Sequence, residues 1–273
     1  MKKLQLLLFA VLASASVQGQ KLPDVQQTSL RPPANIKIDG KPTEWNNKFE
    51  AYNRATDLYY TMSNDDKKLY LVIQASNANV LSKITNRGIL LVIDPSAKRN
   101  EKGAVSVNYP VFELQYNNKP FIQFSNTGGL TSEQRRTLEA NPDSMLTVAN
   151  KRLHASDKFI RTNGIANVDT LLSIYNDKDI VAGEAFEKGP VYTYELAMPF
   201  KYLQLQGGPS AKFSYHIVLD GLNIERDLGM RTTITPDGRM AVEFTKGAVL
   251  FKREDLPAVN STTDFWGEYT LAK

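Results

Sequence analysis

The chain has 273 residues, 42% of them hydrophobic, no cysteine and a formal net charge of +4. That length and apolar content can fill the core of a large β domain, while the missing cysteines exclude a disulfide framework and a thiolate metal site. Setting Lys2 and Lys3 aside from the 33 basic residues leaves 31 against 29 acidic ones. They are scattered along the chain, which gives no footing for nucleic acid or an anionic membrane.

In chain order, Lys2 and Lys3 precede an apolar run from Leu4 to Ala13, broken only by Gln5 and too short for a stable membrane anchor. Small residues at Val17 and Gly19 complete the pattern of a signal peptide, residues 1–19, cleaved after Gly19. The protein is therefore expected to be exported, to the periplasm or the extracellular space. No later stretch reaches the ~20 apolar residues of a membrane helix. Residues 20–33 are polar, end in Pro32-Pro33 and read as an extended lead-in.

From residue 34 to 273 short runs of period 2 dominate, the mark of half-buried strands. Ala55–Met62 and Lys68–Ala75 flank turn residues Asn64–Lys67 and predict a hairpin. Ile89–Ile93 is continuously apolar, and Pro95 stops it. Val111–Tyr116 and Pro120–Phe124 predict a second hairpin. Thr131 with Gln134 fits a capping box, and Asn141-Pro142 an N-cap followed by a first-position proline. This predicts a helical insertion at about 131–150. Tyr192, Tyr194, Leu196 and Met198 share one strand face, as do Phe213, Tyr215, Ile217 and Leu219, with a helical turn between at Phe200–Leu203. Thr232–Thr235 and Met240–Phe244 flank Pro236-Asp237-Gly238-Arg239, a third hairpin. Thr263–Leu271 closes the chain with Phe265, Trp266 and Tyr269. The sum is an all-β, antiparallel, jelly-roll-like β-sandwich with a small helical insertion.

Catalytic signatures are missing from the sequence. It holds no nucleophile elbow, phosphate loop or dinucleotide fingerprint. Its two histidines, His154 and His216, have no metal-ligand spacing. His154 lies in a polar stretch, and His216 on the strand face opposite the apolar one. The acidic pairs Asp65-Asp66 and Asp177-x-Asp179 read as turns, with a surface Ca²⁺ site as the alternative. A two-carboxylate hydrolase stays open, because such pairs form only in space.

Four segments carry a resemblance. Ile38-Asp39-Gly40-Lys41-Pro42-Thr43-Glu44-Trp45, Asp66–Ile73, Tyr192–Phe200 followed by Leu203, and Phe265-Trp266-Gly267 occur in the order seen in family 9 carbohydrate-binding modules. The chain resembles these modules and the wider DOMON-like sandwich group. The resemblance implies a β-sandwich that binds carbohydrate, often through tryptophans and with Ca²⁺ as a structural ion. In DOMON relatives it implies haem held by Met and His, here Met230 and His216. The chain departs from the modules in its insertion and in having two tryptophans, both in segments read as structural. Asp39, Gly40, Trp45, Pro199, Trp266 and Gly267 are accordingly expected to be structural, with the last strand beside the opening segment as a closure. The expected ligand surface is Tyr109, Tyr116 and Tyr175 for stacking, with Asp94 or Glu113 for hydrogen bonds or ion contacts. The function expected is non-catalytic carbohydrate binding. Its rivals are haem or other small-ligand binding, and an envelope protein–protein contact through 131–150.

Overall fold

A computed structural model describes residues 21–112, 136, 142–188, 190–205, 208–223, 227, 230–234, 240–244 and 255–273. The signal segment 1–19, Glu113, Tyr116 and the hairpin expected at 111–124 lie wholly or mainly outside these residues.

Two antiparallel sheets face each other. The five-stranded sheet runs β1 (Ala51–Asn53), β2 (Leu58–Asn64), β3 (Lys68–Ala75), β9 (Tyr192–Pro199), β8 (Val181–Phe186). The six-stranded sheet runs β13 (Thr263–Thr270), β10 (Lys212–Leu219), β4 (Ile89–Asp94), β5 (Val105–Val111), β6 (Phe159–Asn163), β7 (Leu171–Ser173). A separate ribbon pairs β11 (Met230–Ile234) with β12 (Met240–Phe244). Among the described residues three α-helices accompany them: α1 (Ala78–Arg87), α2 (Pro142–Ser156) and α3 (Leu256–Asn260). The expected all-β sandwich is the observed one.

Strand alternation decides which side chains fill the space between the sheets. Tyr60, Met62, Leu69, Leu71, Ile73, Tyr194 and Leu196 come from one sheet, and Ile89, Leu91, Val107, Phe213, Tyr215 and Ile217 from the other; all are buried. Each contributes on the order of 1.5–3 kcal/mol on leaving water. Tyr60 and Tyr215 meet across the gap, hydroxyl to hydroxyl at 2.8 Å, so these phenols are satisfied inside the core.

Helix α1 has no counterpart in the sequence reading. Asn77 caps it, accepting from the Asn79 and Val80 amides, and Val80, Leu81 and Ile84 are buried. Its Ser, Thr and Asn content is poor in helix propensity, so caps and one docked face hold it rather than composition. Of the helical insertion expected at 131–150, residues 131–135 and 137–141 lie outside the described residues. The helix described over Pro142–Ser156 holds its proline at the first position and continues past Asn150. Ala149 and Leu153 enter the core. Asn150 exchanges two hydrogen bonds with the Phe186 backbone, so this face is stitched to β8.

The opening segment and the final strand do not lie side by side, contrary to expectation. Residues 36–45 cover the outer face of the five-stranded sheet, where Trp45 packs with Tyr70, Val72 and Ala197. Strand β13 instead pairs with β10 at the edge of the other sheet. What ties the ends together is the lead-in. Leu30 bonds the Tyr269 hydroxyl through both its amide and its carbonyl, and Asn64 receives the Ala272 amide.

The opening motif has a physical anchor in Glu195, an outward residue of β9. Its Oε2 accepts the Asp39 and Gly40 amides at 3.0 and 2.9 Å, and its Oε1 accepts Trp45 Nε1 at 3.2 Å. Gly40 has φ +77°, and a Cβ there would sit 2.3 Å from the Glu184 carbonyl carbon, so only glycine makes this turn. Burial raises the Glu195 carboxyl to about 7 despite these three donors, which pull the other way. Pro199 is the last residue of β9, where a missing amide costs least.

Candidate functional site

Strand β13 alternates cleanly. Phe265, Gly267 and Tyr269 point inward and are buried, while Asp264, Trp266, Glu268 and Thr270 point outward. Gly267 must be glycine because Tyr215 lies over it: a Cβ would stand 2.1 Å from that ring. Trp266 thus sits on the polar phase of an edge strand, half-buried. It borders a cleft of about 360 Å³ between β13 and the lead-in residues Val25–Ser29, with Arg99, Lys212 and Glu268 along the same wall.

Each wall residue is held by its neighbours. Trp266 lies opposite His216 in register, and the two rings stack at 4.4 Å with an 11° interplanar angle. His216 in turn has Glu101 Oε1 2.7 Å from Nδ1 and Asp264 Oδ2 2.7 Å from Nε2, which fixes its ring plane. One indole face is therefore backed by a clamped imidazole.

Arg99 is presented by the loop after β4. The Asp94 carboxylate folds that loop by accepting the Ser96 hydroxyl at 2.6 Å and the amides of Ser96, Lys98 and Asn100 at 2.9–3.0 Å. Burial works to raise the Asp94 carboxyl, but these donors together hold it below the usual carboxylate range. The loop takes left-handed backbone at Ala97 (φ 56°) and Arg99 (φ 57°), and the Arg99 amide bonds Ser214 Oγ at 3.2 Å. Glu268 lies 2.5 Å from Lys212 Nζ and 3.6 Å from Arg99. Hydrogen bonding to Lys212 holds the Glu268 carboxyl below its usual range.

Of the expected surface, the described members Tyr109, Tyr175 and Asp94 are not brought together. Tyr109 is 1% exposed, points between the sheets, and donates to Asp157 Oδ2 at 3.1 Å with its ring 5.9 Å from Tyr194. A ring enclosed on all sides offers no stacking face. Tyr175 is 80% exposed beyond β7, with Lys158 Nζ 5.8 Å over its ring. That places it past the sheet edge opposite β13. Asp94 has its oxygens committed to its own loop and serves the cleft at one remove, through Arg99. Trp266, expected to be structural, stacks on His216 at the outer face of its sheet and also borders the cleft. The missed signal was local: in Asp264-Phe265-Trp266-Gly267-Glu268 the tryptophan falls on the polar phase.

Chemically the cleft offers an indole face, two cations, a carboxylate, and the amide and hydroxyl groups of Gln27, Thr28 and Ser29. This is equipment for holding a polar ligand with one apolar face. Glu268 is the one acid on its walls, so they present no carboxylate pair. The buried acids Glu184 and Asp157 lie inside the sandwich, where desolvation pushes the Glu184 carboxyl well above its usual range. Among the described residues no group of three or more His, Cys, Asp or Glu is placed to hold a metal ion. No helix among them is long and apolar enough to cross a membrane. Neither a family model nor a curated protein matches the chain.

Proposed function

We propose that this is an exported, non-catalytic carbohydrate-binding protein whose site is the Trp266 cleft. The observation that carries the reading is the half-buried indole, backed on one face by His216 and bordering a 360 Å³ cleft rich in hydrogen-bonding groups. A pyranose has the matching character: an apolar face of C–H groups for the ring and hydroxyls around its rim for Arg99, Lys212, Glu268 and Gln27. The volume suits one or two sugar units, at the lower end of the ~300–1,000 Å³ of small-ligand sites. Calorimetric titration against an oligosaccharide panel, with and without Ca²⁺, tests it. The expected result is saturable binding to at least one glycan, abolished in Trp266→Ala and kept in Tyr175→Ala. Flat titrations across the panel, or binding that survives Trp266→Ala, overturn it.

A further inference from the structure

Charge along the cleft narrows the ligand class. Its walls carry two cations, Arg99 and Lys212, against one anion, Glu268, and the lead-in wall, Val25–Ser29, is neutral. The nearby acids Glu101 and Asp264 are turned onto the two nitrogens of His216. Lys212 takes up most of Glu268, at 2.5 Å, while Arg99 stands off at 3.6 Å with its side chain 56% exposed. A guanidinium so loosely engaged keeps donors free, and its fork matches the two oxygens of a carboxylate or sulfate better than a single hydroxyl. The chain also invests in placing it. The loop that presents Arg99 runs through left-handed backbone and is held by the buried Asp94 carboxylate.

We propose, resting on the glycan reading above, that the cleft takes an acidic glycan. The sugar stacks on Trp266 and its anionic substituent, a uronate carboxylate or a sulfate ester, is received by Arg99 with Lys212 beside it. The bound charge replaces Glu268 as the partner that Arg99 lacks at close range.

The test is a calorimetric titration of the full protein with three probes: an oligogalacturonate, the same oligomer as its methyl ester, and a sulfated oligosaccharide. At least one anionic probe should bind about tenfold more tightly than the ester. That preference should collapse in Arg99→Gln and shrink in Lys212→Gln, and it should weaken several-fold on raising salt to about 0.5 M. Preference for the oligogalacturonate assigns the carboxylate, and preference for the sulfated probe assigns the sulfate. Both variants change exposed side chains, and matching thermal melts verify that they fold. Affinity for the ester equal to that for both anionic probes, or a preference untouched in Arg99→Gln, overturns the proposal. If neutral sugars bind in a Trp266-dependent way without such a preference, only the acidic specificity falls. If no glycan binds at all, the carbohydrate reading falls with it.

Discussion

Trp45 is 8% exposed and donates a hydrogen bond from Nε1 to Glu195, within a segment that folds back over the five-stranded sheet. Trp266 stands on the outer face of the six-stranded sheet with His216 against one side and a cleft along its border. Both are outer-face indoles, and what differs is the cover. Residues 36–45 seal one sheet's outer face into a second small core, whereas the lead-in only skirts the edge of the other sheet. An aromatic ring stabilises the fold where chain covers it, and where chain stops short, as at Trp266, it stays available to the ligand proposed above.

The contrast can be broken most sharply by truncation. Trp45→Ala opens a cavity and strips a donor from buried Glu195, and is expected to cost ~3–5 kcal/mol. Trp266→Ala, removing a half-exposed ring, should cost about 1 kcal/mol or less. Urea denaturation of both variants checks this, and equal losses would erase the distinction drawn between the two sites.

The anchor under Trp45 predicts a pH dependence. Glu195 ionises near its ordinary value in the unfolded chain but only at about 7 when folded. Between those values the folded state binds more protons, so stability is full below the unfolded value and falls as pH rises through the folded one. The loss is on the order of 3 kcal/mol. Comparing denaturation curves from acid to neutral pH, Glu195→Gln should lack this part of the decline. Identical slopes would show that Glu195 is not the titrating group.

Gly267→Ala sets a methyl against the Tyr215 ring, and repacking should cost ~1–3 kcal/mol. The effect should register as a lower melting temperature and a disturbed Trp266 environment, since the two residues are neighbours on β13. Asp94→Asn should also cost little in stability, about 1 kcal/mol for weakened loop hydrogen bonds. Its larger consequence falls on ligand affinity, through a loosened Arg99; calorimetry on the folded variant reads this, and unchanged affinity would detach the loop from the site.

Much of the sandwich was readable because strand phase is a local property. Tyr192, Tyr194, Leu196 and Met198 share a face in sequence and in space, and Gly267 announces a crowded position. Tyr109 lies just before the alternating run Val111–Tyr116, so that run does not reveal its phase. Strand β5 runs Val105–Val111, and its alternation of Val105, Val107 and Tyr109 puts the phenol inside. The meeting of Asp39, Gly40 and Trp45 with Glu195 spans some 150 residues of chain and depends on which sheet face the opening segment covers. The cleft is equally nonlocal. It needs the lead-in, the Asp94 loop and β13 to converge, and of these only the outward phase of Trp266 is written in adjacent residues.

The most direct test of the central claim is intrinsic fluorescence during a glycan titration, because the chain has two tryptophans and one is sealed. The emission of the native protein should shift saturably on adding a binding oligosaccharide, iodide quenching should fall as the cleft fills, and Trp266→Phe should show neither change. A glycan that binds by calorimetry while Trp266 emission and quenching stay constant would contradict the account and move the site elsewhere on the sandwich.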